Sequence, residues 1–232
     1  MATRLLHIVA TPRGLASHTG RISSVLLEEL HATFDDLEVR TLDLFSADLP
    51  AVAGVNIKTK YALMTGQPVD DAARGSWRDI ERTIEEFLDA DMYVLTVPMW
   101  NFGVPYALKY YIDAIVQPGY LFQYDAQGRP EGLVRGKKMI CVTSRGADYS
   151  GPLASLDFLE SYLRAIFGFV GIADMTFFNA QPMDVTADLR RTAFSSVIGE
   201  VRAWVAQTDW STPAEVAQEP LPAGVKPPIL VE

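Results

Sequence analysis

Three features of this 232-residue sequence predict an α/β domain built on a five-stranded parallel sheet with helices on both faces. Short continuous apolar runs of strand length recur along the chain. Segments with apolar residues at helical spacing lie between them, and no change of composition divides the first 208 residues. Strands that read as unbroken apolar runs are buried on both faces, which is the situation in a parallel sheet covered by crossover helices. Residues 1–208 therefore read as a single domain. Residues 209–232 hold five of the 14 prolines and read as an extended tail, expected to lie along a surface with Ile229, Leu230 and Val231 docked.

The elements follow in order. Residues 5–10 (LLHIVA) form a first buried strand, closed by the turn signal Thr11-Pro12-Arg13-Gly14. Residues 17–34 place Ile22, Val25, Leu26, Leu30 and Phe34 at helical spacing, and Ser17 or Thr19 can cap that helix. Residues 38–44 (EVRTLDL) alternate, as a half-exposed strand does. A short helix is expected over 57–64. A longer acidic one follows over 70–89, with Trp77, Ile80, Ile84, Phe87 and Leu88 on one side. Residues 92–97 (MYVLTV) are a strand broken by Pro98, and 105–116 a helix with Pro105 in its first turn. Residues 119–136 carry aromatics and an Ala-Gln-Gly turn, which predicts a hairpin-like excursion. Then come a strand at 138–143 (KMICVT), an apolar helix at 153–170, a strand at 174–178 and an amphipathic helix at 184–207.

Composition excludes several function classes. The net charge of −9 disfavours nucleic acid and anionic membranes as partners. No run approaches 18 apolar residues and the start of the chain lacks a signal-peptide core, so no membrane partner is expected and a cytoplasmic location is the simple reading. A single cysteine, Cys141, excludes an internal disulfide framework and a multi-Cys zinc site. His7, on a central strand, is expected to be packed rather than catalytic. No GxGxxG fingerprint occurs, and Gly132 to Lys138 has neither the spacing nor the Ser/Thr of a phosphate-binding P-loop.

Ligands of open α/β sheets bind at the carboxyl ends of the strands, where the strand order reverses. Three loops fall there. The first, TPRGLASHTG, sets the hydroxyls of Thr11, Ser17 and Thr19 beside a helix N-terminus, where free N–H groups and the helix dipole favour an anion such as a phosphate monoester; an N-cap with solvated neighbours is the plainer alternative. The second, PMWNFGVP, has two aromatics and an amide around a glycine, between stiffening prolines, and suits a planar heteroaromatic ring. A packed turn is its plainer alternative. The third, Thr143 to Ala147, adds small residues and Arg145 as a charge partner for an electron-rich ring edge.

The stretch PMWNFGVPYALKYYIDAIVQPGYLFQYDAQGRPEGLVRGKKMICVTSRG, with SYLRAIFGFVGI after it, resembles the FMN-dependent NADH-azoreductase family over most of residues 4–206. That resemblance implies a flavodoxin-like fold, a homodimer, FMN as cofactor, NADH or NADPH as electron donor, and a quinone or azo compound as acceptor. It assigns Thr11, Ser17, His18 and Thr19 to the FMN phosphate. Met99, Trp100, Asn101 and Phe102, with Ser144, Arg145, Gly146 and Ala147, fall around the ring system and its side chain. It also matches Phe122 to an aromatic that faces the partner's flavin, with Tyr162, Ile166 and Phe167 on a helix expected to face the second protomer. Trp100 stands where the family commonly has Tyr, His18 where it has an uncharged polar residue, and Ala147 where a second Gly is frequent.

The resulting expectation is an oxidoreductase moving two electrons from NAD(P)H to quinones and azo compounds by a ping-pong mechanism. No catalytic side chain is assigned, because solvent can supply the protons. The alternatives are a flavodoxin-like electron carrier without small-molecule turnover, and a relative that has lost FMN and acts through dimerisation.

Overall fold

The computed structural model describes residues 2–64, 67–125 and 127–210. The docked tail expected at Ile229 to Val231 lies outside them. Strand β1 (Thr3–Val9) leads into α1 (His18–Thr33), β2 (Leu37–Asp43), α2 (Val55–Met64), α3 (Asp71–Asp89), β3 (Met92–Pro98) and α4 (Tyr106–Ile115). The antiparallel ribbon β4 (Phe122–Tyr124) and β5 (Pro130–Gly132) follows, then β6 (Lys138–Ser144), α5 (Leu159–Phe169), β7 (Asp174–Ala180) and α6 (Ala187–Gln207).

The five long strands make one parallel sheet in the order β2-β1-β3-β6-β7. Counting only these strands, the order is 2-1-3-4-5, that of a flavodoxin-like sheet, and it reverses between β1 and β3. Successive strand residues point to opposite faces, so each apolar run serves two cores. Leu5, Val94 and Ile140 pack with Ile22, Leu26 and Leu30 of α1 and Val197 and Val201 of α6. Leu6, Leu95 and Cys141 face the other way, towards Ile80, Ile84 and Phe87 of α3, Leu108 and Ile112 of α4, and Leu163 and Phe167 of α5. That double burial is why the sequence runs there are continuous rather than alternating. Edge strand β2 keeps a half-exposed pattern.

Three expectations need correction. The helix predicted from residue 153 begins at Leu159, because the preceding residues form a 3-10 turn (Ala154–Leu156) and the Asp157 carboxylate accepts the Leu159 N–H at 3.0 Å. Phe167 does not face outward: it is fully buried, its ring 6.3 Å from that of Phe87, while Tyr162 and Ile166 are half-buried. The chain also stays packed on the domain past residue 208. The Trp210 ring lies 5.2 Å from Phe34 and 5.1 Å from Trp204, and its Nε1 donates to the Val205 carbonyl at 3.2 Å. Among the described residues no helix is long and apolar enough to cross a membrane.

Candidate cofactor-binding site

The first loop is built around Ser17, the N-cap of α1. Its Oγ accepts the Gly20 N–H at 2.9 Å and donates to the Gly14 carbonyl at 2.8 Å. Because that uses its only proton, the 3.1 Å contact with Thr19 is one in which Thr19 donates. Ser17 is therefore a cap first, and its hydroxyl proton reaches a ligand only by turning from Gly14. The first four N–H groups of a helix, counting that of the N-cap, lack intrahelical acceptors, and here the Ser17 N–H donates to the Gly14 carbonyl at 3.2 Å. With Gly20 satisfied by Ser17, those of His18 and Thr19 remain to meet an anion. Gly20 is essential to this shape: a Cβ there would stand 2.6 Å from both the Gly14 oxygen and the Leu15 Cα.

The second loop is a two-residue turn. The Trp100 N–H donates to the Gly103 carbonyl at 3.0 Å and the Gly103 N–H to the Trp100 carbonyl at 2.9 Å. Asn101 and Phe102 between them both take left-handed backbone, at φ 47° and 69°, as a type I′ turn requires. Asn tolerates that region; for Phe it costs on the order of 1–2 kcal/mol. The Phe102 carbonyl in turn accepts the Phe158 N–H at 3.0 Å. The Trp100 ring is propped by Phe45 at 5.8 Å and Tyr106 at 6.3 Å.

Main-chain bonds stitch the loops together. The Met99 N–H donates to Ser144, the Arg145 N–H to Ala180, and Arg145 and Gly146 carbonyls accept from Met183 and Asp184. The Arg145 side chain does not project freely as a charge partner for a ring edge. It is buried and bound to Asp157, Thr143 and Asn179.

These loops enclose a cavity of about 280 Å³. Of the residues expected at the site, Thr11, Ser17, His18, Thr19, Met99, Trp100, Ser144, Arg145 and Gly146 line it together. Asn101 and Phe102 sit exposed at the turn beside it, and Ala147 lies just past its wall. Phe122 is elsewhere: nearly buried in the ribbon, 4.7 Å from Phe169 and 5.7 Å from Tyr124, ring to ring. Sequence reasoning missed Met183 and Asp184, which close the cavity from the loop after β7. The rule that ligands sit at strand carboxyl ends applies to that strand too, and was the signal for it.

Burial lowers the pKa of two histidines. Burial, with Arg190 and Arg13 nearby and only Asp184 opposing, lowers the pKa of His18 at the cavity wall. His7 lies beneath the site in the core, fully buried as expected, with Nε2 2.8 Å from Thr96 Oγ1; burial pushes its pKa down to about 4. Cys141 is likewise a buried hydrophobe, its thiol pKa raised by desolvation.

Residues 3–205 match the family described as having a flavodoxin-like fold. The chain is 42% identical over 180 residues to an FMN-dependent NADH:quinone oxidoreductase of Xanthomonas axonopodis, covering 77% of this chain and 82% of that one. It is 37% identical over 176 residues to a protein of the same name from Pseudomonas fluorescens, covering 74% and 82%. Among solved structures it superposes on an azoreductase of Bacillus anthracis with TM-score 0.80 at 24% identity, covering 89% of this chain and all of the other. An FMN-dependent NADH-azoreductase of Bacillus anthracis in complex with FMN gives 0.76 at 22%, covering 88% and 100%. With the strand order, the strand-end cavity and these relatives in agreement, this chain belongs to the flavodoxin-like family that includes the FMN-dependent NADH:quinone oxidoreductases.

Proposed function

We propose that the protein is an FMN-dependent oxidoreductase that carries two electrons from NADH or NADPH to quinones and azo compounds. The observation that carries this reading is that the anion cradle at the start of α1 and the aromatic wall after β3 open on one cavity. The residues fit FMN in kind. N–H groups of His18 and Thr19, the Thr11 and Thr19 hydroxyls, and the nearby Arg13 suit its phosphate. Met99, Trp100 and the Ser144 to Gly146 backbone offer a flat wall with polar edges for its ring. Asn101, Phe102 and Ala147 border the same opening and are assigned to the ring's exposed side. When bound, FMN supplies two-electron transfer between the nicotinamide and the acceptor. The chain's own residues bind and orient: the cradle fixes one end, the stitched loops hold the ring's edge, and Trp100, propped from behind, presents an apolar face. No side chain is assigned a proton transfer.

One chain does not enclose the whole group. A cavity of about 280 Å³ lies just under the usual range of about 300–1,000 Å³ for ligand sites. Exposed apolar residues stand at the turn and after it in sequence: Phe102, whose carbonyl accepts the Phe158 N–H, and Leu153, Leu156 and Phe158; exposed apolar patches mark interfaces. This supports a homodimer whose second protomer completes each site; the family resemblance assigns the ribbon that carries the nearly buried Phe122 to the partner's cavity. Deletion of the proline-rich tail is expected to weaken that dimer.

Purified protein that binds FMN and oxidises NADH with a soluble quinone, with parallel double-reciprocal lines, is the expected result. Bound FMN without turnover would assign an electron carrier instead. A colourless protein that FMN cannot reconstitute would overturn the reading, and intersecting lines would overturn the ping-pong order.

A further inference from the structure

We propose that the His18 imidazole takes up a proton when this site binds FMN, so that a titrating cation joins the main-chain N–H groups that hold the phosphate. The inference rests on the FMN reading above and goes beyond it in making the affinity for the cofactor depend on pH.

His18 is the first residue of α1 and lines the cavity with its neighbours Ser17 and Thr19. It is half-buried, and neither ring nitrogen has a hydrogen-bond partner among the described residues. Four charged groups act on the ring: Arg13 from the first loop, Arg21 from α1 itself, Arg190 from α6 and Asp184 from the loop after β7. Arg13 and Asp184 line the same cavity. Arg190 donates Nε to the Met183 carbonyl at 2.7 Å, and the Arg21 guanidinium lies 4.8 Å from the Phe194 ring centroid. No carboxylate pairs with either of them, or with Arg13, among the described residues. Three guanidiniums therefore stand against one carboxylate around this imidazole.

The sign of the coupling follows from those charges. Burial, then the arginines, disfavours the imidazolium, and the pKa of His18 lies below its ordinary value. The positive end of the α1 dipole acts in the same direction. A phosphate monoester carries a charge of about −1.5 to −2 at pH 7. Held at the start of α1, it offsets the surplus positive charge beside the ring and favours the charged imidazole. A proton then passes from solvent to a ring nitrogen as the phosphate binds, and no covalent bond between heavy atoms changes. Because the complex holds the extra proton, affinity rises as pH falls. The phosphate's own second ionisation, near pH 6, works the other way, since a cationic site selects the dianion. That contribution does not involve the imidazole and cancels in a comparison with a variant that lacks it.

The test is an NMR titration of the imidazole C–H signals across the ordinary histidine value of about 6.5, with and without saturating FMN, in wild type and His18→Gln. The chain has three histidines, so the signal lost in His18→Gln identifies His18. The variant keeps a polar side chain and forfeits no hydrogen bond within the protein. His18 is expected to titrate at higher pH with FMN than without it, and riboflavin, which lacks the phosphate, should leave it in place. Flavin fluorescence reads the linkage. Between the two titration points, wild-type FMN affinity should fall with rising pH by up to about tenfold per pH unit relative to His18→Gln. An unchanged or lower titration point with FMN, or parallel pH profiles for the two proteins, overturns the proposal. An equal rise with riboflavin also overturns it, by assigning the effect to the ring system; if riboflavin does not bind, the FMN comparison decides alone. Failure of the wild type to bind FMN at any pH would instead strike the reading on which the inference rests.

Discussion

Replacing Gly20 by Ala separates two effects that normally coincide. In a helix, Ala is favoured over Gly by up to about 1 kcal/mol because Gly loses more backbone freedom on folding. Gly75 in α3 and Gly199 in α6 have open space where a Cβ would go. Gly75→Ala and Gly199→Ala should therefore each stabilise the protein by roughly 0.5–1 kcal/mol. Gly20 stands in a helix too, but its Cβ would meet the Gly14 oxygen and Leu15 Cα at 2.6 Å and the Leu15 carbonyl carbon at 2.8 Å. All three are backbone atoms, so no side chain can swing aside. Overpacking of this kind costs about 1–3 kcal/mol, and the propensity gain offsets only part of it. Gly20→Ala should then be destabilised by about 1–2 kcal/mol, a fall in Tm of roughly 2–8 °C for a chain of this length. The turn that must move carries the proposed phosphate cradle, so FMN affinity, followed by flavin fluorescence, should fall as well. Urea melts on the three variants provide the comparison. Gly20→Ala behaving like the two controls would refute the packing argument, and a destabilised Gly20→Ala with full FMN affinity would remove this turn from the site.

Changing Ser17 and Thr19 together to Ala should weaken FMN binding by about 1–3 kcal/mol, roughly 0.5–1.5 kcal/mol for each hydroxyl that turns from its present acceptor, Gly14 for Ser17 and Ser17 for Thr19, to the phosphate. Because Ser17 caps α1, the same protein should also lose about 1 kcal/mol of stability; FMN titration and urea melts read the two separately. His7 has a folded-state pKa of about 4, below the unfolded value of about 6.5, so the unfolded chain binds the extra proton between them. Stability from this group is intact above pH 6.5 and is lost as pH falls towards 4, by up to about 1.4 kcal/mol per unit; urea midpoints of His7→Gln should show a flatter slope over that window. Phe122→Ala is expected to keep FMN bound but to reduce quinone turnover. As Phe122 packs on Phe169, Phe122→Leu, which preserves the ribbon, should keep the fold while still slowing turnover, and wild-type turnover in both variants would withdraw Phe122 from the acceptor site. Truncation after Trp210, which spares the Trp210 packing on Phe34 and Trp204, should lower the dimer fraction in sedimentation.

Local periodicity was sufficient for the layers. Because both faces of the sheet are covered, β1, β3 and β6 read as unbroken apolar runs. The helices between them carry one apolar face each, and the parallel arrangement then places the loops after those strands on one rim. The first-loop hydroxyls, the PMWNFGVP turn and the SRG backbone were legible for that reason. What only tertiary structure decided are pairings between residues far apart in sequence or set by conformation. Asp157 binds Arg145 across a twelve-residue loop, and Asn179 reaches it from the next strand. The loop after β7 closes the cavity through Met183 and Asp184, Phe102 adopts a left-handed turn, and Phe167 rotates into the core against Phe87. Spacing reports which residues share a face. It does not report which polar atoms are left to satisfy one another once those faces are buried, because that is settled by the geometry of neighbouring elements rather than by the element itself.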